Sequence, residues 1–184
     1  MAVTLTPATF SFVFFDPDEI VGIVERLVAQ IGLPDGVAVE VQVDETTPLG
    51  RAELVSVDPI TITVESGALE NVKKPRHLSV DGATDVLGRL LFEARDRLDP
   101  AFGDPPAELT LQQSSAWQVY CVGRLHRLGY AAQRKRRLYQ FRTRHGFNDV
   151  VDAAFDRLWD GVDLTWNDLA AASDEAASAA NATV

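Results

Sequence analysis

The sequence predicts an α+β fold, a small mixed sheet packed with several helices. Two observations carry that expectation. Short stretches of alternating apolar and polar residues crowd into the N-terminal third, the period of half-buried strands. Longer stretches with apolar residues three and four apart, several opened by capping residues, flank them and fill the rest of the chain. A length of 184 residues suits one domain with a sizeable core. That domain is expected over residues 1–168, with the small, polar stretch 169–184 as a frayed tail.

Taken in order, "TFSFVFF" alternates Phe10, Phe12 and Phe14 and predicts a strand. A helix start follows, with Asp16 as N-cap and Pro17 at the first helical position. Ile20, Ile23, Val24, Leu27, Val28 and Ile31 make its buried stripe, and Gly32 and Pro34 end it. Alternating Val37, Val39, Val41 and Val43 predict the next strand. "RAELVSV" predicts a weaker one, and "ITITV", after the Asp58-Pro59 turn, a third. Residues 66–79 read as a loop. A helix then runs from Val80 or Asp81 to about Leu98, with Val86, Leu87, Leu90, Leu91, Ala94 and Leu98 as its stripe and Pro100 as its stop.

Thr110 with Gln113 marks a capping box for a further helix, whose face is Trp117, Tyr120, Cys121, Leu125 and Leu128. Within the basic segment behind it, the alternation in "RLYQFRTR" predicts a strand. Phe147, Val150, Val151, Ala154, Phe155, Leu158 and Trp159 predict another amphipathic helix, and Thr165 with Asp168 caps a last, short one.

Composition narrows the function. The formal net charge is −10, which opposes non-specific binding of nucleic acid by the molecule as a whole. The first basic residue is Arg26, and the apolar run Phe12 to Phe15 is far too short to span a bilayer. No secretory leader and no membrane partner are expected, and the location is expected to be cytoplasmic. One cysteine excludes an internal disulfide; on its helix stripe Cys121 reads as buried and inert rather than as a nucleophile. There is no Gly-rich phosphate loop and no Gly-x-Ser-x-Gly elbow. His77, His126 and His145 are the only histidines, and no two stand at a metal-ligand spacing.

The order helix, strands, loop, long helix resembles that of minimal zincin-like, metallopeptidase-like proteins of bacteria, the actinobacteria among them. The resemblance covers roughly residues 16–100. In active members, it implies, the helix after the strands carries His-Glu-x-x-His, two histidines holding zinc and the glutamate activating a bound water. Here that position reads Phe92-Glu93-Ala94-Arg95-Asp96. Glu93 matches, while Phe92 and Asp96 replace the histidines. The resemblance therefore implies a degenerate site, with Phe92, Glu93, Asp96 and the nearby His77 as its vestige and no catalysis, metal or cofactor. From helix geometry alone, Phe92 points nearly opposite the apolar stripe at about 100° per residue. It is then either covered by a second element or part of a contact surface.

The strongest local anomaly is basic. Residues 124–144 hold Arg124, Arg127, Arg134, Lys135, Arg136, Arg137, Arg142 and Arg144, eight of the 17 basic residues, with no acid among them. Tyr130, Tyr139 and Phe141 are interleaved. Such a stripe either balances the 27 acids, within the chain or across copies of it, or binds phosphate backbones and bases. The leading expectation is a non-catalytic zincin-like domain that works through an unknown protein partner or self-association. The second is a nucleic-acid or anionic-ligand binder using the stripe, with Arg134, Lys135, Arg136 and Arg137 as the contact residues.

Overall fold

The computed structural model describes residues 2–34 and 36–181 and is α+β. It divides into two compact units, the first ending at Leu98 and the second beginning at Asp99, where the sequence reading expects one domain.

The first unit is built on a four-stranded sheet in the order β1-β2-β4-β3. Strands β1 (Val3–Thr6), β2 (Val39–Asp44) and β4 (Ile60–Glu65) run parallel, and β3 (Ala52–Val57) pairs with β4 antiparallel. Val39, Val41, Val43, Ile60, Ile62 and Val64 are buried on one face. Helices α1 (Pro17–Ile31) and α2 (Val80–Leu98) pack on each other and against strands of this sheet. Helix α1 forms as its caps dictate. The Asp16 carboxylate accepts the Asp18 N–H, Pro17 opens the first turn, and Gly32 closes the helix at φ +73. All six stripe residues from Ile20 to Ile31 are buried.

Two expectations fail here. The strand placed on Phe10–Phe14 lies earlier, at Val3–Thr6, because Pro7 has no N–H to continue the ladder. The phenylalanine alternation survives with the opposite sense: Val13 and Phe15 are buried, Phe12 and Phe14 exposed. The loop placed on 66–79 contains a 3-10 turn (Ser66–Ala68) and a small antiparallel pair, β5 (Glu70–Asn71) and β6 (Lys74–Leu78).

The second unit is helical: α3 (Leu111–Arg127), α4 (Arg134–His145), α5 (Asp149–Asp160) and α6 (Trp166–Asn181). Thr110 and Gln113 close the expected capping box reciprocally, and Asn148 caps α5 through the Val151 N–H. Trp117 joins Phe102 and Trp166 in one aromatic cluster, with ring centroids 5.3 and 5.5 Å apart. The strand expected in "RLYQFRTR" is helical instead. Half-buried Leu138 and buried Phe141 and His145 stand three and four apart, and that spacing packs α4 on its neighbours. The expected short helix and frayed tail are one helix of 16 residues. Leu169, Ala172, Ser173 and Ala176 bury a narrow stripe of it against the bundle. Alanine-rich sequence favours the helix, and small side chains let it approach closely. Residues 182–184 of the expected tail lie outside the described residues. No described helix is long and apolar enough to cross a membrane.

Candidate anion-binding face of α4

The four residues singled out by the zincin resemblance have separate fates. Phe92 is 3% exposed and Asp96 4%, both on the side of α2 away from Leu87 and Leu91, so α2 is covered on two sides. Half-buried Glu93 lies 3.5 Å from the Arg97 guanidinium one turn on. His77 stands on β6, not in a loop; its ring lies 5.1 Å from that of Phe14, and its Nδ1 is 3.2 Å from the Pro75 carbonyl. Among the described residues no group of three or more His, Cys, Asp or Glu side chains is placed to hold a metal ion.

Two grooves open on single units. The larger, about 390 Å³, lies beside β2 and β4 and is lined by Thr6, Gln42, Asp44, Arg51, Glu53 and Glu65 among others. Its charges answer one another. Arg51 reaches Glu53 at 2.7 Å, and its backbone N–H donates to Glu65 at 2.8 Å. Asp44 accepts both the N–H and the hydroxyl of Thr46, which hold its carboxyl below the usual range. The smaller, about 260 Å³, lies beside α5 and α6, where Arg157 pairs with Glu175.

The basic segment separates into two groups. Four arginines are used inside the unit. Arg124 lies 4.0 Å over the Tyr120 ring. Arg127 donates to the Trp159 and Gly161 carbonyls, at 2.5 and 2.6 Å, and so satisfies the C-terminal end of α5. Arg134 reaches Asp156 at 2.5 Å and lies over the Phe155 and Trp159 rings. Arg142 makes a two-pronged pair with Asp152, holding that carboxyl below its usual range and its own guanidinium above.

The second group faces outward. At about 100° per residue, Lys135, Tyr139 and Thr143 line the side of α4 opposite Phe141 and His145, with Arg136 and Gln140 beside them; all five are exposed. Arg144 borders this face. Among the described residues Lys135, Arg136 and Arg144 make no ion pair. Arg137 is half-buried and turned along the helix, 3.4 Å from the Gln140 side-chain oxygen. Tyr139, 63% exposed, stands edge-on to Phe147, 64% exposed, at 6.0 Å. Of the four expected contact residues, Lys135 and Arg136 hold this outer face, while Arg134 is drawn to α5. Arg144 and Tyr139 belong to the basic, aromatic-interleaved stripe the sequence shows but not to the four expected contact residues, and Phe147 lies outside both; a helical period laid on 134–145 places Tyr139 on this face.

The helix opens against its own electrostatics. Arg134, Lys135, Arg136 and Arg137 occupy its first four positions, where the peptide dipoles favour acids, and Gln133 gives no side-chain cap. The unpaired N–H groups of that end and the cations together concentrate positive charge at one point.

Comparison with family models, with curated proteins and with solved structures finds no match to this chain.

Proposed function

We propose that the chain is a non-catalytic binding protein whose ligand is a polyanion of the nucleic-acid kind, taken up on the outer face of α4. The observation that supports this most is the placement of four consecutive cations at an uncapped helix N-terminus, beside the exposed Tyr139–Phe147 pair. A residue choice made for helix stability alone would put acids there. Arg134 is accounted for by Asp156 and the rings of α5, whereas exposed Lys135 and Arg136 break the rule with no ion pair among the described residues, and such positions are where binding function concentrates. Lys135, Arg136 and Arg144 would meet phosphates, and Tyr139 would offer a ring for stacking. In this reading the α2 positions that resemble a zincin motif serve packing, with Phe92 and Asp96 buried and Glu93 beside Arg97.

The test is fluorescence anisotropy of a labelled oligonucleotide across a salt series. Binding is expected at low salt and weak at physiological salt, given the net charge of −10. Replacing Lys135, Arg136 and Arg144 by Ser should lower the slope of log affinity against log salt by about 2–3, from roughly 0.7–0.9 per lost phosphate contact. An unchanged slope, or no binding at low salt, would overturn the proposal.

A further inference from the structure

We infer a second ligand surface, on the first unit, that stacks the bases of a single-stranded nucleic acid. It is made by the chain segment Phe12–Phe14 and the β5–β6 hairpin.

The two are joined through the backbone. The Phe14 N–H donates to the Arg76 carbonyl at 2.7 Å, and Phe14 bridges His77 in parallel register. Segment 12–15 alternates cleanly: Val13 and Phe15 are 7% and 6% exposed, Phe12 and Phe14 56% and 67%. Both exposed rings therefore project from one side. Two exposed rings with one buried residue between them offer two faces to unstacked bases. The His77 ring, half-buried and 5.1 Å from that of Phe14, adds a third ring beside it.

The charge around these rings is one-sided. Between Val72 and Ser79 the sequence carries Lys73, Lys74 and Arg76 and no acid. All three are exposed, and among the described residues none makes an ion pair. Two carboxylates that hold the segment and the hairpin are turned to backbone. Glu45 accepts the Ser11 and Phe12 N–H groups at 2.7 and 2.6 Å. Glu70 accepts the Arg76 N–H at 2.9 Å and lies 3.3 Å from the Ser66 hydroxyl. These bonds fix the segment and the hairpin while leaving the cations outward. Exposed rings on a fixed backbone, flanked by unpaired cations, match a ligand with flat apolar faces and a regular negative backbone. A duplex keeps its base faces stacked internally, so the single strand is the form that fits. An anionic bilayer would also meet cations and apolar side chains, and Val72 at the hairpin turn is 95% exposed. The exposed apolar side chains of the 12–14 segment are both phenylalanines, beside the His77 ring, and flat rings favour the bases over the bilayer.

The experiment uses the full chain carrying Phe14→Trp, which places an indole at an exposed position outside the second unit. Titration with a short single-stranded oligonucleotide should quench that indole saturably, and a duplex of the same length should quench it far less. In the otherwise native chain, Phe12→Ala with Phe14→Ala should weaken single-strand binding at least about tenfold with the salt slope unchanged. Lys73→Ser, Lys74→Ser and Arg76→Ser together should lower the slope by about two, at roughly 0.7 per contact on a single strand. The α4 triple variant should leave the quenching intact, so this surface and the α4 reading fail separately. Equal quenching by duplex, no quenching, or a blue shift with anionic phosphatidylglycerol vesicles and none with oligonucleotide would overturn the inference. Circular dichroism checks that each variant is folded.

Discussion

The imidazole of His145 on α4 and the hydroxyl of Ser173 on α6 lie 3.1 Å apart, both buried. The other ring nitrogen, Nδ1, is 3.1 Å from the Phe141 carbonyl, which can only accept, so Nδ1 carries the proton and Nε2 receives the Ser173 hydroxyl. The ring also stacks on Phe141 at 4.0 Å. Burial holds this histidine below its ordinary value of 6.5, against the opposing pull of the Phe141 carbonyl. The sign follows from proton linkage. As pH falls the unfolded chain takes the proton first, so its stabilising effect is full above about 6.5 and is lost as pH falls below it. Urea midpoints at pH 7.5 and 5 should show this decline, and His145→Gln should flatten it. A decline of the same size in His145→Gln would place its cause elsewhere.

Glycines on two helices should respond to alanine in opposite directions. A Cβ on Gly123 would come within 2.2 Å of the Trp159 carbonyl oxygen, where α3 crosses α5. That close crossing also brings Arg127 within reach of the end of α5. Gly123→Ala should cost about 1–3 kcal/mol through overpacking. Gly22, inside α1, meets only the flexible Arg26 guanidinium at 3.5 Å, so Gly22→Ala should stabilise by about 0.5–1 kcal/mol. Denaturant melts of the two single variants check both signs.

The division of the basic segment makes a similar contrast. Arg127→Ala leaves two carbonyls at the end of α5 without their charged donor and should cost about 1.5–3 kcal/mol. Lys135→Ser removes an exposed side chain with no ion pair and should stay within about 0.5 kcal/mol of the native chain. Loss of stability on changing Lys135 would mean that its charge serves the fold, and would weaken the binding proposal for α4.

These contrasts show where sequence was enough. Helix α1 could be read almost residue by residue, because its cap, its proline, its stripe and its terminal glycine all agree. Helix α3 was likewise announced by Thr110 with Gln113 and by its stripe, and α5 by its stripe alone. The sequence misled where two periods competed. Tyr139 and Phe141 are two apart, which reads as a strand, yet only Phe141 faces the core. On 10–14 the alternation of Phe10, Phe12 and Phe14 has the period of a strand, yet no strand forms there and Val13 is the buried side chain. Helix α6 was expected at its start but read as short, because the rest of its stripe is mostly alanine and serine, which composition cannot tell from a solvated tail. The candidate site was half legible. Eight clustered basics are visible in any reading, but the separation of Arg127, Arg134 and Arg142 from Lys135 and Arg136 depends on α5, supplied by residues 149–160.

Rebuilding the metal motif on α2 meets the packing of that helix. Phe92→His with Asp96→His would restore His-Glu-x-x-His around Glu93, and residues four apart share one helical face, so both imidazoles could meet one zinc ion. Both positions are buried, however, at 3% and 4% exposure. Replacing the phenylalanine ring by a smaller polar one loses packing on a scale of about 3–5 kcal/mol, by analogy with truncating a buried aromatic. The double variant is therefore expected to melt well below the native chain and to show no rise in melting temperature when zinc is added. The single change Phe92→Leu keeps the position apolar, so it separates lost packing from added polarity and should be the milder of the two. A double variant that stays folded and gains stability with zinc would mean that the α2 layout can still form a metal site, and the zincin-like resemblance would then rest on chemistry as well as on the order of its elements.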